Sequence, residues 1–572
     1  MRDARYFTNP THDWQRRYEA LRALTVDRLP GRVVAERFGY SEGYLRYLSH
    51  QFRHEQFDFS EPHPEGKTAR RRVTSEIRKK VCALREDNLS AGEIAQLLFE
   101  EGREISVSTV ERVLAEEGYP RLPRRTSHKI GLTVKGAQLP ERSGAVRAGD
   151  FEGAELECAG AGVFLFGPFL AKLDIAGVVR EAGLPGTKEI PALSYLLSFL
   201  ALKLLGTERY SHVGDHAFDP GLGLFAGLGV LPKTTAMSTY SYSLDSVHIE
   251  KLERAFVKRA RKLGLYDGRV VNLDFHTVPH FGDESVLEKH WAGARGKVMK
   301  GALTLFCQDS ESKLILYTTA DITKDETSDQ ALSFLSFWRG VARGVKPTLV
   351  FDSKFTTYEK LCRLDDAGVK FITLRRRGAK LIEATGKIGD WKRIHIPHPG
   401  RKFPDPYVHE SMVELKDYDG IVRQIIMKGN GHEKPAFIVT NDFDIPVELV
   451  VGNYARRWRV ENGIAEAVKF FSLNSLSSPI LTKVHFDVAM TMVADTLYTM
   501  LAQKLRGFES CDAPKLYRHF VKGKGTVSVR DGQVSVTYPR RAHNPVLRNV
   551  PWDKLPGLLP GLGDAPLALE FK

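Results

Sequence analysis

Hydrophobic positions near the start of the chain recur with the period of amphipathic helices, and they do so in two similar units. Ser41, Ser90 and Ser106 stand where helix N-caps belong, and short turns separate the helices. Such an order is typical of helix-turn-helix modules, so we predict one unit over residues 1–60 and a second over 61–125. The predicted helices cover 14–26, 32–38 and 42–52 in the first unit, and 74–85, 91–101 and 107–117 in the second.

These units suggest contact with DNA, although a plain helical bundle has the same pattern. The helices that begin at Ser41 and Ser106 are expected to enter major grooves. The basic stretch KTARRR, residues 67–72, precedes the second unit and is like arms that reach into a minor groove. The DNA-contacting candidates are Tyr44, Arg46, Arg70, Arg71, Arg72, Ser108 and Arg112.

After these units the pattern changes twice. Residues 126–157 are polar and aperiodic and predict a linker, and residues 158–265 are mostly helical. Beyond 265, apolar runs alternate with helical patterns, which predicts a mixed α/β sheet. We assign this α/β domain to 266–375 and 436–510, a β-rich insertion to 376–435 with a hairpin turn at Asp419-Gly420, and a basic C-terminal segment with a β-hairpin around Asp531-Gly532 to 511–572.

Charge and cysteine content narrow the class of protein. The 572 residues include 83 Lys and Arg against 70 Asp and Glu, a net charge of +13 that favours polyanionic partners. The five cysteines are scattered, which argues against disulfides and structural zinc. The apolar run 193–205 is too short to span a bilayer and the N-terminus has no signal-peptide pattern, so we expect a cytoplasmic protein without a membrane partner.

Three acidic residues are the candidates for chemistry. Asp274 ends the apolar run VVNLD, Asp352 ends TLVFD, and Glu461 lies in a helix predicted over 446–471. In an open α/β sheet, functional groups gather where strands terminate. Three carboxylates that meet would bind divalent cations, and oxygen ligands suit Mg²⁺ or Mn²⁺, two of which can promote phosphodiester chemistry.

The helix that carries Glu461 offers further polar groups. Tyr454, Arg457 and Glu461 are spaced i, i+3 and i+7, so they share one face. Arg457 can form a bidentate contact with a phosphate. Lys469 lies about 80° from Glu461 around the helix.

These residues together resemble a known family. The strings NLDFHT, VFDSKF and YARRWRVE are similar to those of the DDE transposases of bacterial insertion sequences. The resemblance is to the branch with a β-rich insertion and a Tyr-x-x-Arg-x-x-x-Glu signature, and it is strongest over about residues 268–475.

The resemblance implies a fold class and a reaction. The implied fold is an α/β RNase H-like catalytic domain behind all-α helix-turn-helix units. The implied enzyme cleaves transposon ends by metal-dependent hydrolysis and joins the freed 3′-hydroxyl to target DNA. Asp274, Asp352 and Glu461 would be catalytic and would hold two Mg²⁺ or Mn²⁺ ions.

The resemblance also implies DNA contacts and an assembly. Tyr454 and Arg457 would contact the DNA backbone. The family's lysine usually stands seven residues after the glutamate, where this chain has Val468, so Lys469 is the candidate. Double-stranded DNA, as inverted-repeat ends and target, would be the partner of a homodimer formed on DNA in a prokaryotic, nucleoid-associated setting.

Two other functions remain open at this stage. A DNA-binding regulator with a relic catalytic domain would carry the same helical units, and a metal-dependent nuclease without strand transfer would carry the same acids. His276 is interpreted as a hydrogen-bonded neighbour of Asp274 rather than a catalytic base. The acidic string at 321–329 is interpreted as a solvated loop rather than a metal site.

Overall fold

The chain folds as two compact units, residues 1–137 and residues 138–572. The computed structural model describes residues 10, 12–53, 73–86, 89–103, 105–119, 143–281, 287–293, 296–320, 322–355, 357–396, 403–431, 433–475 and 480–572.

The described residues of the first unit form two groups of three helices, each with its own core. The helices are α1 Asp13–Thr25, α2 Gly31–Phe38, α3 Glu42–Arg53, α4 Ser75–Glu86, α5 Ala91–Glu100 and α6 Val107–Glu116. The first core includes Ala20, Val34, Phe38 and Leu45. The second core includes Val81, Ile94, Leu98, Val110 and Val113. The helical spacing of apolar residues in the sequence therefore correctly predicts which faces of these helices are buried.

The predicted N-caps of this unit are confirmed. The side chains of Ser41, Ser90 and Ser106 each accept a hydrogen bond from the backbone N–H three residues further on. Ser90 and Glu93 form a complete capping box. The assignment of these helices as helix-turn-helix modules stays a prediction, and the arm residues Arg70, Arg71 and Arg72 lie outside the described residues.

The second unit combines helices with two β-sheets. Its strands are β1 Glu155–Cys158, β2 Val270–Pro279, β3 Lys289–Ala292, β4 Lys297–Asp309, β5 Ile315–Thr319, β6 Thr348–Val350, β7 Phe371–Leu374, β8 Lys392–Arg393, β9 Tyr407–Glu414, β10 Ile421–Lys428, β11 Ala436–Thr440, β12 Gly525–Arg530, β13 Gln533–Tyr538, β14 Leu558–Leu559 and β15 Ala565–Phe571. Its α-helices are α7 Gly167–Lys172, α8 Ile175–Ala182, α9 Ala192–Leu204, α10 Pro220–Phe225, α11 Thr234–Tyr240, α12 Ser246–Lys262, α13 Gln330–Val341, α14 Tyr358–Asp366, α15 Ala379–Ala384, α16 Val447–Arg456, α17 Trp458–Lys469, α18 Leu481–Ala502, α19 Ala513–Leu516 and α20 Asn544–Arg548.

The larger sheet runs in the order β3-β4-β2-β6-β7-β11-β10-β9-β8, with β5 beside β4. The strands β2, β6 and β7 are parallel to one another, and the other pairs are antiparallel. The strands of the predicted insertion, β8 to β10, therefore extend the central sheet. They do not form a sheet of their own.

The loop between β9 and β10 differs from the two-residue hairpin turn predicted at Asp419-Gly420. Ile421 pairs with Glu414, so the loop spans residues 415–420. The physical reason is packing, because Tyr418 is buried and its hydroxyl donates a hydrogen bond to Asp365 at 2.7 Å. The hairpin predicted around Asp531-Gly532 is confirmed, and both residues have positive φ.

The smaller sheet joins distant parts of the chain in the order β1-β12-β13-β15-β14. Residues 155–157 were predicted as the end of a linker and Cys158 as the start of the helical region, but together they form β1 and pair with β12. The partner strand lies more than 360 residues further along the chain, as in the pair Glu155 and Ser528, so no local pattern reveals the pairing. The earlier part of the predicted linker, residues 126–142, lies outside the described residues.

One finding concerns membranes. Within the described ranges, no single helix is long and apolar enough to cross a membrane. A pair of helical segments, 161–172 and 175–182, meets the length and composition criteria together but bends by 67°.

A buried ion pair fixes α9 to α18 in the core. Lys203 Nζ lies 2.8 Å from Asp487 Oδ2, and the two side chains are 4% and 3% exposed. Lys203 also donates a hydrogen bond to the carbonyl of Phe471, just after α17, at 2.8 Å. The helical region 158–265 thus holds the end of α17 in place.

Replacing Lys203 with methionine should lower the free energy of unfolding of the second unit by about 3–5 kcal/mol, because Asp487 would stay buried without a counter-charge. Urea unfolding at neutral pH measures this change. The control Lys251→Met removes an exposed lysine from α12 and should change stability by less than about 0.5 kcal/mol. Equal stability of Lys203→Met and wild type would contradict a stabilising pair.

Candidate active site

Asp274 lies inside a long strand, whereas the sequence placed it at a strand end. Strand β2 continues to Pro279 because β4 pairs with it over its whole second half. On its other side, β2 pairs with β6 only as far as Asn272, which lies opposite Val350. Asp274 therefore stands just past the point where β6 leaves the sheet.

Asp352 occupies the matching position just after β6. Since Asn272 pairs with Val350, Asp274 and Asp352 each lie two residues beyond the last pair of the parallel ladder. The Asp352 carboxylate accepts a hydrogen bond from the backbone N–H of Ser353 at 2.7 Å. The strands that lead to the two aspartates are neighbours, as the sequence predicted, and both aspartates lie at the same level of the sheet, although only Asp352 follows the end of its strand.

An aromatic stack fixes the turn that carries Asp352. The rings of Phe275 and Phe355 are parallel to within 13°, with their centroids 4.5 Å apart. Phe355 also donates its backbone N–H to the carbonyl of Asp352 at 3.0 Å. Phe275, which follows Asp274, therefore anchors the turn that follows Asp352.

The helix that carries Glu461 is broken, which the sequence did not predict. A single helix was expected over 446–471, but α16 ends at Arg456 and α17 begins at Trp458. At the break, Arg457 donates its N–H to the carbonyl of Tyr454, three residues back, at 3.1 Å. This tighter turn lies at the arginine of the predicted signature.

Polar contacts hold both sides of this break against the sheet. The Asn272 amide, on β2, donates to the carbonyl of Arg456 at 3.5 Å. Arg459 donates to the carbonyl of Ser310, and Arg456 forms an ion pair with Glu311. The helix break is thus tied to β2 and to the turn between β4 and β5.

Gly463 allows α17 to lie close to β4. A Cβ atom at this position would stand 2.8 Å from Nε2 of Gln308, a buried side chain of β4. Glycine costs a helix about 1 kcal/mol relative to alanine, so its use inside α17 is explained by this close approach. The packing sets the distance of Glu461 from the sheet.

Arg457 joins the acidic residues. Its guanidinium lies 3.7 Å from Asp274 Oδ2 and 2.6 Å from Glu461 Oε1. Its carbon Cζ stands 5.8 Å from the centre of the Tyr454 ring. The predicted face of Tyr454, Arg457 and Glu461 is therefore present despite the break, and it is directed at Asp274.

The three acids share one electrostatic environment. Burial raises the pKa of Asp274 to about 6, Arg457 opposes that rise, and the charges of Glu461 and Asp352 add to it. The Asp274 side chain is 25% exposed and that of Glu461 is 49% exposed. Burial likewise raises the pKa of Tyr454 to about 12, so its hydroxyl stays protonated at neutral pH.

The donor set suits a hard divalent cation, although the acids do not surround a common point. Carboxylate oxygens are the ligands that Mg²⁺ and Mn²⁺ prefer. Among the described residues, no group of three or more His, Cys, Asp or Glu side chains is close enough together to hold an ion. Arg457 instead lies against Asp274 and Glu461, so a protein cation balances part of the charge that metal ions would balance.

The remaining described candidates are Lys469 in the second unit and four residues of the first unit. Lys469 is exposed on α17, about 12 Å along the helix axis from Glu461. In the first unit, Arg46, Ser108 and Arg112 are exposed, and Tyr44 is half-buried with its ring centroid 5.1 Å from that of Tyr40. Their roles in DNA binding stay predictions.

Sequence reasoning missed the partner of His276. Its ring nitrogen Nε2 lies 2.8 Å from the amide oxygen of Asn474, in the turn that follows α17. Burial lowers the pKa of His276, so the ring is neutral at neutral pH. This bond ties β2, next to Asp274, to the end of the Glu461 helix, and no motif in the sequence singles out Asn474.

The sequence also did not reveal a second pair of acidic residues, which lies between α17 and α18. Glu466 and Asp495 line a cavity of about 510 Å³ between α17 and α18. Burial raises the pKa of Asp495 to about 8, and the charge of Glu466 adds to the rise. Glu466 accepts a hydrogen bond from the backbone N–H of Ala513 at 2.7 Å.

Replacing Arg457 with methionine should strengthen Mg²⁺ binding, because the carboxylates lose a competing cation. A unit charge at a few ångströms is worth a few kcal/mol near a protein surface, so we expect the affinity to rise about tenfold or more. The Mg²⁺-dependent rise of the thermal unfolding midpoint measures it. The control is Arg456→Met, whose side chain pairs with Glu311 instead; equal Mg²⁺ responses of the two variants would contradict the competition.

Asp495→Asn should make the protein more stable than wild type at alkaline pH. The folded protein keeps Asp495 protonated up to a pKa of about 8, whereas the unfolded chain ionises this residue above the ordinary aspartate pKa. The wild type therefore loses folding stability as the pH rises between these two values. The variant lacks this loss, so the two unfolding midpoints should agree near about pH 4 and diverge up to about pH 8. Parallel midpoints across this range would contradict a neutral Asp495.

A comparison with known families agrees with this geometry. Residues 268–494 match the family model of the transposase DDE domain. No curated protein matches the chain. The match begins just before β2 and ends within α18, so it includes Asp274, Asp352, Arg457 and Glu461. This part of the chain is a DDE transposase domain.

Proposed function

We propose that the protein is the transposase of a bacterial insertion sequence, which cleaves the ends of its element and joins them to target DNA. The observation that carries the proposal is the convergence of Asp274 and Glu461 on Arg457, with Asp352 at the same level of the sheet. The family match over these residues supports it.

We assign an RNase H-like fold to the catalytic domain. The support is the order β5-β4-β2-β6-β7, in which three antiparallel strands continue into two parallel ones. In this arrangement the acids stand where the parallel pairing of β2 and β6 ends, and chemistry in open sheets gathers at such points.

The proposed reaction has two steps at phosphorus. In the first, water attacks the phosphodiester at the transposon end, and the bond to the 3′ oxygen breaks to give a free 3′-hydroxyl. In the second, that hydroxyl attacks a phosphodiester of the target, forms a new bond to phosphorus and releases a 3′-hydroxyl of the target strand. Neither step needs an oxidant or a nucleotide cofactor.

Asp274, Asp352 and Glu461 would hold two Mg²⁺ or Mn²⁺ ions. DDE transposases generally use divalent metals, which activate the attacking oxygen and stabilise the leaving one. Arg457 can exchange its carboxylate partners for a phosphate oxygen, because its planar guanidinium fits either group. The protonated Tyr454 hydroxyl can donate a hydrogen bond to the same phosphate.

The remaining assignments complete this proposal. The first unit would bind the inverted-repeat ends through Tyr44, Arg46, Ser108 and Arg112, with Arg70, Arg71 and Arg72 as a minor-groove arm. Lys469 would contact the backbone of the cleaved end. Because two ends are joined in one event, we propose a homodimer on DNA, in a cytoplasmic, nucleoid-associated setting.

Asp274→Asn and Glu461→Gln should each lower the rate of Mg²⁺-dependent cleavage at least about a thousandfold, because each removes a metal-binding carboxylate. The substrate is a duplex that carries the terminal inverted repeat found beside the gene. Binding of that duplex, measured by gel shift without metal, should remain. The control Glu448→Gln changes a half-buried acid on α16 that pairs with Lys392, and this variant should cleave normally.

The outcomes separate the proposal from its alternatives. Cleavage of the inverted repeat by both variants would refute the assignment of the acids. Cleavage without joining to a supercoiled plasmid would favour a nuclease, and specific binding without any cleavage by the wild type would favour a regulator. Complexes with a single protomer per pair of ends, by mass at saturating protein, would contradict the dimer.

A further inference from the structure

The basic C-terminal segment carries cations that the proposed active site does not use. From Lys515 to Arg548 the sequence has eight Lys and Arg residues and a single acid, Asp531. One of the eight, Arg530, pairs with Glu155. Five others are exposed and have no carboxylate partner among the described residues, namely Lys515, Arg518, Lys522, Lys524 and Arg540.

The ring of Phe508 gathers part of this charge in one place. Lys515 Nζ lies 5.7 Å from the centre of that ring. The rings of His519 and His543 each lie 6.0 Å from it, centroid to centroid, and 4.3 Å from each other. Two stretches of the C-terminal segment therefore meet at this ring. We call the set that they contribute the basic cluster, which consists of Lys515, Arg518, His519, Arg541 and His543.

Hydrogen bonds to the backbone hold the two stretches together. The Arg541 guanidinium donates to the carbonyl of Phe520 at 3.2 Å and to that of His519 at 3.3 Å. A Cβ atom at Gly523 would lie 3.0 Å from Nη1 of Arg541, so glycine leaves room for the guanidinium. The position of the second stretch against the first is thus fixed by named contacts.

The turn that carries Arg518 and His519 has an uncommon geometry. Residues Tyr517–Val521 are π-helical, and the N–H of Lys522 donates to the carbonyl five residues back at 2.7 Å. Wider turns of this kind are rare and occur frequently at functional sites. This backbone feature is independent of the charge of the basic cluster.

Acids of the described residues do not balance the basic cluster. No salt bridge joins any of its members to a described carboxylate. Partial burial lowers the pKa of His519, and the charges of the other four members lower it further. The acids of the adjacent loop are engaged elsewhere, because Glu509 accepts the N–H of Gly507, Asp512 accepts the N–H of Lys515, and both line the cavity between α17 and α18.

We propose that the basic cluster binds the phosphate backbone of double-stranded DNA at a place separate from the three acids. Lys515 and Arg518 are exposed and would contact phosphate oxygens directly. The two imidazoles would donate to the same backbone when they are protonated. The inference rests on the proposed function, because it takes DNA as the substrate. The family match does not assign this cluster, because the match ends at residue 494.

The segment that carries the basic cluster is attached to the Glu461 helix. Glu466 lies five residues after Glu461, about 7.5 Å along the helix axis. It accepts the N–H of Ala513 at 2.7 Å, and Ala513 begins α19, five residues before Arg518. Added end to end, these steps separate the Cα atoms of Glu461 and Arg518 by no more than about 30 Å. A duplex of about ten base pairs is longer than that distance.

Charge favours DNA over a second copy of the chain as the occupant. A symmetric contact between two copies would set the basic cluster against itself, and the cations would repel one another. A free phosphate ion neutralises one or two cations. A DNA strand presents a phosphate about every 3.4 Å of helix axis, so one strand can pair with several members at once.

The first test is the affinity of the full-length protein for a labelled, mixed-sequence duplex, measured by fluorescence anisotropy without divalent metal over a series of salt concentrations. The double variant Lys515→Ala/Arg518→Ala should bind about tenfold or more weakly, and the slope of log affinity against log salt should fall by about 1.8. The control Lys188→Ala/Lys251→Ala removes the same charge from exposed positions elsewhere and should leave both quantities unchanged.

The imidazoles give a second readout. A bound phosphate favours the protonated ring and raises its pKa, so the wild-type affinity should rise as the pH falls from about 8 to about 6. The variant His519→Gln/His543→Gln should lose this rise by several-fold relative to the wild type while it binds almost as well at about pH 8. Equal pH profiles of the variant and the wild type would contradict contact between the imidazoles and phosphate.

A third measurement changes no residue. Lysine acetylation of the wild type, mapped by mass spectrometry, should show that the duplex protects Lys515, Lys522 and Lys524. The exposed Lys188 and Lys251 should be acetylated equally with and without DNA. Poly-glutamate at the same charge concentration is the comparison for an acidic protein partner. The unfolding midpoint checks that each variant folds, and the protection pattern decides if the double variant does not.

The outcomes distinguish this inference from the proposed function. Wild-type affinity and salt slope in Lys515→Ala/Arg518→Ala, with no protection of Lys515 by the duplex, overturn the inference, while cleavage of the inverted repeat would leave the proposed function intact. Protection by poly-glutamate but not by DNA would assign the basic cluster to an acidic protein and also overturn it. A wild-type protein that binds no duplex would overturn both.

Discussion

Repulsion among three carboxylates is the constraint on which the site depends. Asp274 is partly buried, its pKa is raised to about 6, and the charges of Asp352 and Glu461 both contribute to that rise. Such a group of acids is stable only with a cation nearby. Arg457 supplies one from within the chain, at the break between α16 and α17, so the helix break and the charge balance are a single structural feature.

The fold brings the acids together by three independent devices. Strand register sets Asp274 and Asp352 at one level, and the stack of Phe275 on Phe355 fixes the turn that follows Asp352. Helix α17 is held at its start by contacts around Arg456 and at its end by Lys203 and by the His276–Asn474 bond. Because these anchors come from distant parts of the chain, the site requires the folded second unit.

The sequence predicted the parts of the fold that depend on local pattern. The N-caps at Ser41, Ser90 and Ser106, the order of strands and helices, and the shared face of Tyr454, Arg457 and Glu461 follow from spacing and residue type. It did not predict the extension of β2 past Asp274 or the pairing of β1 with β12, because both depend on partner strands. The helix break at Arg457 and the placement of Glu466 and Asp495 on one cavity also arise from tertiary packing, which no periodicity records.

The placement of charge explains how an acidic site can receive a polyanion. Carboxylates at the centre repel phosphate, so the attraction must come from cationic groups beside them. Arg457, whose guanidinium lies against Asp274 and Glu461, would provide it at the reacting phosphate. Because the guanidinium stays charged at any working pH, the acids can keep the charge that divalent ions require while a phosphate still meets a cation beside them.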